Sequence, residues 1–300
     1  MNTFAMTLVI ISAVFHAGWN ILGKSSRGSG VAFTLSASAT VSVILTPYII
    51  WYLLEIGWHT LPESFWIMVL ASGIFQIVYL VGLIVAYKHA EIGVIYPIVR
   101  ALPVLMVGIV TSLLGSLLNA TQWSGFVLIT LGCVLVPLTS MRDLKWRSYC
   151  NLGVFWSFIA AIGTTGYSIV DKHALGLASK LTQQVMSDTY TAIFYLGVQF
   201  LAIALPILVW CLFTFKTNEI RQAWKIKKQA GVAGVMMAGT YGLVLIAMDM
   251  TANVSLVVAL RQVSIVFGVI MGCVFLKESW SYARMAGVTM ILVGLVLSLS

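Results

Sequence analysis

Long apolar runs follow one another along the whole chain, separated by short stretches that hold most of its charge. A bilayer core about 30 Å thick is crossed by about 20 consecutive apolar residues in a helix. On that rule ten runs qualify: roughly 3–23, 30–54, 65–87, 92–115, 122–140, 151–171, 185–215, 230–248, 254–276 and 282–299. Within hydrocarbon every backbone N–H and C=O must be satisfied inside its own segment, so each run predicts a helix. The expected fold is an all-α membrane protein with ten transmembrane helices. Trp51, Trp58, Trp66, Trp123, Trp146, Trp224 and Trp280 fall at or near the ends of the runs, where amphipathic rings sit at the headgroup level. No connection is long enough to hold a soluble domain; the longest basic ones are 141–148 and 216–228.

Composition agrees: 60% hydrophobic and 9% charged residues exclude a soluble globular chain. The net charge of +8 could suggest nucleic acid, but the basic residues lie in short inter-helix segments without a basic motif or a stacking platform. Anionic lipid headgroups account for them better, so no nucleic-acid partner is expected. Cys133, Cys150, Cys211 and Cys273 stand singly in apolar surroundings without metal-ligand spacing, and read as buried thiols. No cofactor and no metal is expected. The first run lacks the basic flank of a signal peptide and carries a polar face, so it is expected to be retained. Loops after odd-numbered runs are rich in Lys and Arg, whereas the opposite face holds Lys172 and Lys180 alone. The positive-inside rule therefore puts the odd loops in the cytoplasm and both termini outside.

A weak internal repeat runs through the pattern. Gly18-Trp19-Asn20-Ile21-Leu22-Gly23-Lys24 in the first run aligns with Gly166-Tyr167-Ser168-Ile169-Val170-Asp171-Lys172 in the sixth, Arg100 aligns with Arg261, and Gly125 and Gly132 align with Gly287 and Gly294. Five helices per unit is an odd number, so the second copy enters the membrane inverted. The units are 1–141 and 149–300, the plan of many secondary transporters, whose sites lie near the midplane at the repeat interface. Arg100 and Arg261 are the Lys or Arg residues placed deep within runs. Each stands roughly 10 to 12 Å along its run from opposite faces, so both approach the midplane.

A charge at that depth needs a partner, water or a substrate. A structural ion pair or a clamp on backbone carbonyls is one reading of the two arginines. The other is recognition, since a planar guanidinium matches carboxylate or phosphonate bidentately. Tyr96 lies one turn before Arg100, which is bracketed by Pro97 and Pro103. His16, Asn20 and Lys24 share one face of the first helix, mirrored by Thr164, Ser168 and Lys172. His16 reads either as a packing histidine or as a proton relay. Gln184, Asp188, Thr191, Tyr195 and Gln199 form a polar stripe on the seventh helix that should line a cavity. Asp188 is the second coupling candidate, against the alternative of a solvated residue at a helix start. Gln76, Tyr79 and Tyr241 are further lining candidates. Asp171, Asp249 and Glu91 stand at the ends of runs, where interfacial solvation accounts for them.

Phe275-Leu276-Lys277-Glu278-Ser279-Trp280, followed by the glycine-bearing Ala286 to Gly294, resembles the glutamate-bearing turn and last helix of the drug/metabolite transporter superfamily, in its EamA-type ten-helix branch. The corresponding first-half turn, Gly115 to Thr121, lacks the glutamate. Tyr96-Pro97-Ile98-Val99-Arg100 is similar to a pattern in a subset of these proteins, some linked to phosphonate utilisation. The resemblance implies an importer or exporter of small metabolites with a cavity between two halves, Glu278 in a turn of the fold, and cytoplasmic termini. That last implication opposes the charge distribution. No P-loop, His-Glu-x-x-His or Gly-x-Ser-x-Gly elbow is present. The expectation is a secondary transporter in the cytoplasmic (inner) membrane, not an enzyme, moving an amino-acid-like or other organic anion by alternating access. Its partners would be a small-molecule substrate and the lipid bilayer, with a homodimer left open. A hydrophobic-cation exporter, a membrane enzyme and a non-transporting scaffold are the alternatives.

Overall fold

The computed structural model describes residues 3–24, 28–89, 92–138, 151–275 and 280–300. Regular structure among the described residues is entirely helical: α1 (Thr3–Lys24), α2 (Gly30–Ile56), α3 (Glu63–His89), α4 (Ile92–Leu113), α5 (Ala120–Leu135), α6 (Leu152–Thr182), α7 (Asp188–Phe213), α8 (Thr217–Lys225), α9 (Lys227–Asp249), α10 (Val254–Leu260), α11 (Val263–Phe275) and α12 (Tyr282–Leu299). Among the described residues six helices are long and apolar enough to cross a membrane, and the shorter apolar helices are Thr3–His16, Ile98–Leu113, Ala120–Leu135 and Val254–Ile270. Val43, Leu54, Ile67, Leu113, Phe213 and Val296 are exposed, an outer surface suited to acyl chains. The protein is an all-α membrane protein.

Three features depart from the hydropathy reading. The sixth run, expected to stop at residue 171, continues as α6 to Thr182. Asp171, Lys172 and His173 interrupt the apolar pattern without breaking the helix, because Asp171 points into the protein and is completely buried. The ninth run is two helices, α10 and α11, with a turn at Arg261 and Gln262. There the backbone passes from the Arg261 N–H bond on Val257 O (3.0 Å) to three-residue bonds, Gln262 on Ala259 (3.0 Å) and Ser264 on Arg261 (3.1 Å). The Gln262 amide donates to Val258 O at 3.3 Å, occupying a carbonyl that the tightened turn leaves over. The third feature is α8, inside a stretch read as a connection. Ile220 and Ala223 pack inward beside the start of α2, while Trp224 is 71% exposed under the Lys227 ammonium, as an interfacial amphipathic helix should be. Ser29 bonds the Glu219 carboxylate and donates its N–H to Gln222 Oε1, tying α8 to α2.

The helices pair in a pattern that exchanges the two halves of the chain. α3 packs chiefly on α6, and α9 chiefly on α1; α4 lies against α6, and α10 and α11 lie against α1; α7 meets α3, and α9 meets α2. α5 packs on α12 and α2 on α7, each bridging the halves. Glycines set these approaches, as small residues do where helices cannot gain from hydrophobic burial alone. A Cβ on Gly132 would sit 2.6 Å from Gly287 O, and one on Gly125 2.6 Å from Gly294 O. Gly73 touches the Ala202 backbone and Gly234 the Ala37 backbone in the same way. Gly132→Val is accordingly expected to lower the melting temperature in detergent, by overpacking of about 1–3 kcal/mol. Gly239→Ala, where an added Cβ meets nothing within 4 Å, should leave it level or raise it. Equal melting of the two variants would remove the glycine contact as the reason α5 and α12 are close.

Candidate functional site

Two clusters of polar side chains lie among these helices. The first brings together the two arginines singled out in the sequence. Ser12, Ala13 and His16 of α1, Arg100 of α4, Thr240 of α9, Arg261 of the broken turn and Ser264 of α11 line one cavity. α4 runs unbroken through Pro97 and Pro103, so Arg100 is presented from a continuous helix and Arg261 from an interrupted one. An Arg100 Nη2 bonds His16 Nε2. A guanidinium has N–H donors and no acceptor, so His16 Nε2 accepts, and the imidazole proton in this arrangement sits on Nδ1. Protonating His16 would therefore set a second cation against Arg100, which weakens the relay reading of this residue. The Arg261 guanidinium lies 5.7 Å from the centre of the Tyr241 ring, and among the described residues no carboxylate pairs with it. The cavity is about 10 Å3, about enough for one water.

The second cluster surrounds a residue that hydropathy placed at a span end. Asp171 stands about 28 Å from the start of α6 and about 16 Å from its end, at 1.5 Å per residue. It is deep in the protein and 0% exposed, so the expectation of interfacial solvation is corrected. Oδ1 accepts from Ser72 Oγ and, at 2.7 Å, from Tyr195 OH. Oδ2 accepts from Gln199 Nε2 at 2.6 Å and from Tyr241 OH. Gln199 also donates to Ser72 Oγ at 3.1 Å, and Gln76 does so at 3.5 Å. The close seating of α3 on α6 makes this reach possible: Gly163 faces the Tyr79 and Phe75 backbone, and Gly82 that of Ala160. The Tyr79 ring meets Tyr167 edge-on at 6.3 Å, and Tyr167 meets Tyr241 at 6.2 Å.

The α7 stripe divides. Tyr195 and Gln199 bind Asp171, whereas Thr191 belongs to a separate buried group with Tyr52 (2.8 Å) and Thr182 (3.1 Å). Gln184 and Asp188 are exposed, Asp188 in the first turn of α7. The end-residue reading of Asp188 is the one its position matches, and none of the five residues stands in the lining of the arginine cavity, so the expectation of a continuous cavity-lining stripe is corrected. Asp249 accepts from Ser179 at 3.2 Å, and Lys172 donates to Met248 O at 2.5 Å. The side chains of Asn20, Lys24 and Tyr96, and the whole of Glu91 and Glu278, lie outside the described residues.

A wider cleft of about 400 Å3 lies where α4 ends and α10 begins, beside the C-terminal half of α6, lined by Lys172, His173 and Lys180 with Thr111, Ser116 and neighbouring apolar groups. Counting along the helices, Val254 is about 10 Å from Arg261 and Thr111 about 16 Å from Arg100.

No protein-family model and no curated protein matches the chain. A solved chain described as "Crystal structure of protein" superposes with a TM-score of 0.64 at 15% identity, covering 99% of this chain and 98% of its own. The similarity is one of fold.

Proposed function

We propose that the protein is a secondary transporter for a small organic anion or zwitterion, amino-acid-like or phosphonate-bearing, working by alternating access between two inverted five-helix halves. The observation that carries this reading is the meeting of Arg100 and Arg261, distant in sequence and on different helices, at one cavity with His16. Two guanidiniums facing one space suit a ligand carrying a carboxylate or phosphonate group. Counting the four shorter apolar helices as spans beside the six long ones favours the ten-span reading, and the exchanged packing of the halves supports the inverted repeat and the resemblance to EamA-type transporters. A discontinuous helix beside the site is a recurrent feature of such proteins. A cavity of about 10 Å3 is far below the roughly 300 Å3 of an ordinary ligand pocket. The arginine level is therefore closed in this conformation, while the 400 Å3 cleft is open at one end. The halves must move for a metabolite to reach the arginines.

A membrane carboxylate among tyrosines is what a hydrophobic-cation exporter would use, so Asp171 favours that alternative. Against it, both Asp171 oxygens already accept two bonds each. Purified protein screened by thermal shift against amino acids, dicarboxylates, alkylphosphonates and tetraphenylphosphonium, with hits followed by counterflow in liposomes, decides between them. Stabilisation and exchange by tetraphenylphosphonium alone would overturn the anion reading, and exchange of nothing would overturn transport.

The cleft opens at the ends of even-numbered spans, on the face poor in basic loops. If the charges set orientation, it is the outward mouth and both termini are outside the cytoplasm. A reporter fused after Ser300 is then expected to be inactive when it requires the cytoplasm. Activity there would reverse the orientation.

A further inference from the structure

We propose that Asp171 is the proton-binding site of the transport cycle, and that Tyr241 passes its change of state to Arg261. The proposal rests on the transporter reading. Its basis is the hydrogen-bond arithmetic of the cluster. An ionised carboxylate offers about four acceptor positions, and four donors fill them: Ser72 from α3, Tyr195 and Gln199 from α7, and Tyr241 from α9. The shell is closed for the charged form alone. When a proton from water bonds to one Asp171 oxygen, that oxygen becomes a donor, and one of the four incoming bonds must reverse or break.

The geometry selects which one gives way. Ser72 Oγ already accepts from Gln199 and Gln76 while donating to Asp171, so it cannot turn to accept the new proton without losing a glutamine. The Gln199 amide presents N–H donors to both Ser72 and Asp171. The two tyrosine hydroxyls can reverse. Tyr195 is held in the core at 0% exposure, whereas Tyr241 is part-exposed and its ring carries the Arg261 guanidinium 5.7 Å from its centre. Reversal of the Tyr241 hydroxyl replaces a charge-assisted bond to the carboxylate by a weaker neutral one, which loosens α9 from α6 and lets the ring against which Arg261 rests move. Protonation of Asp171 and closure of Arg261 on an anion are thereby joined through one side chain, a discrete two-state element of the kind coupling requires.

The groups bonded to Asp171 are Ser72 from α3, Tyr195 and Gln199 from α7, and Tyr241 from α9; behind them stand Gln76 on Ser72, Tyr167 and Arg261 on the Tyr241 ring, and Tyr79 on Tyr167. The titratable side chain described on α4 is Arg100, which bonds His16, and α10 carries none. A charge on α6 at this depth, when a neutral asparagine could tie the same helices, marks a functional group. His16 accepts from Arg100 and Asp188 is exposed, so neither expected coupling residue stands in an equivalent place.

The first test needs no substrate. Infrared difference spectra of the purified full chain, alkaline minus acidic, should show a protonated-carboxyl C=O band that is absent in Asp171→Asn and shifted in Tyr241→Phe, which removes one hydrogen bond. A band unchanged in Asp171→Asn overturns the proposal. The second test uses whichever panel anion gives counterflow. Asp171→Asn should keep counterflow but fall to simple equilibration under an imposed pH gradient. Wild-type accumulation by this variant, or wild-type accumulation that follows a sodium gradient at constant pH, overturns the proposal while leaving anion transport intact. If no panel anion exchanges, the transport reading fails and the infrared result still reports on Asp171. Should Asp171→Asn not fold, Asp171→Glu and Tyr241→Phe replace it: each must move the band, and an unmoved band in either overturns the assignment.

Discussion

Replacing Arg100 or Arg261 by lysine is expected to weaken anion binding about 10- to 100-fold, although each variant keeps its charge. A hydrogen bond to a charged group contributes on the order of 1.5 to 3 kcal/mol, and 1.4 kcal/mol is a factor of ten in affinity. A guanidinium presents two parallel N–H bonds to a carboxylate in a fixed plane; an ammonium presents a point charge on a flexible stem. Substitution by an uncharged residue should cost at least as much. Geometry adds a distinction between the two positions. Arg100 also holds His16, so Arg100→Lys should additionally loosen α1 from α4 and melt earlier. Arg261 rests on the Tyr241 ring, and Arg261→Lys should lose affinity with a smaller drop in melting temperature. Expression, melting and affinity for the panel anion must be measured on the same preparations. Unchanged affinity in a stable Arg100→Lys, Arg261→Lys double variant would remove the pair from the site, leaving a purely structural role.

The arginine pair was legible in the sequence because insertion energetics make a charge within an apolar run conspicuous, and the repeat aligned the two positions. Asp171 was equally charged and was passed over for a reason that also follows from hydropathy. Asp171-Lys172-His173 lowers the local average, and a window rule ends the span there, which converts a buried acid into an interfacial one. In the folded chain the three residues point to different neighbours: Asp171 to Ser72 and the α7 and α9 donors, Lys172 to Met248 O, and His173 to the cleft. A helix can carry polar groups when each finds its own partner, and single-sequence averages do not register partners. Ser72 was invisible for a related reason. Serines in these helices mostly bond their own preceding turn, as Ser38, Ser42 and Ser168 do, and nothing in the sequence marks the one that turns outward to a carboxylate. The break at Arg261 has no Gly or Pro to announce it, since the Gln262 side chain itself bonds the released carbonyl. The α8 helix was hidden by its length of 9 residues, too short for a span and too polar for a core.

Gln199→Leu is expected to destabilise the protein by about 1–3 kcal/mol, and that loss should shrink when Asp171 is asparagine. Gln199 is 1% exposed and close to leucine in bulk, so the substitution changes packing little. What it removes is the 2.6 Å bond to Asp171 Oδ2 and the 3.1 Å bond to Ser72. A buried acceptor deprived of its donor carries the desolvation penalty of about 1–3 kcal/mol, more when charged, and a half-satisfied network is worse than none. In the Asp171→Asn background there is no charge to leave uncompensated, and the new amide supplies a donor of its own, which Tyr241 OH can accept. The two substitutions should therefore be non-additive, with a coupling of about 0.5 to 3 kcal/mol, as for residues sharing one network. Melting of the two single variants and the double variant in the same detergent measures this. Additivity within about 0.5 kcal/mol would mean that Gln199 does not serve the Asp171 charge, and the closed shell on which proton binding depends would lose one of its four donors.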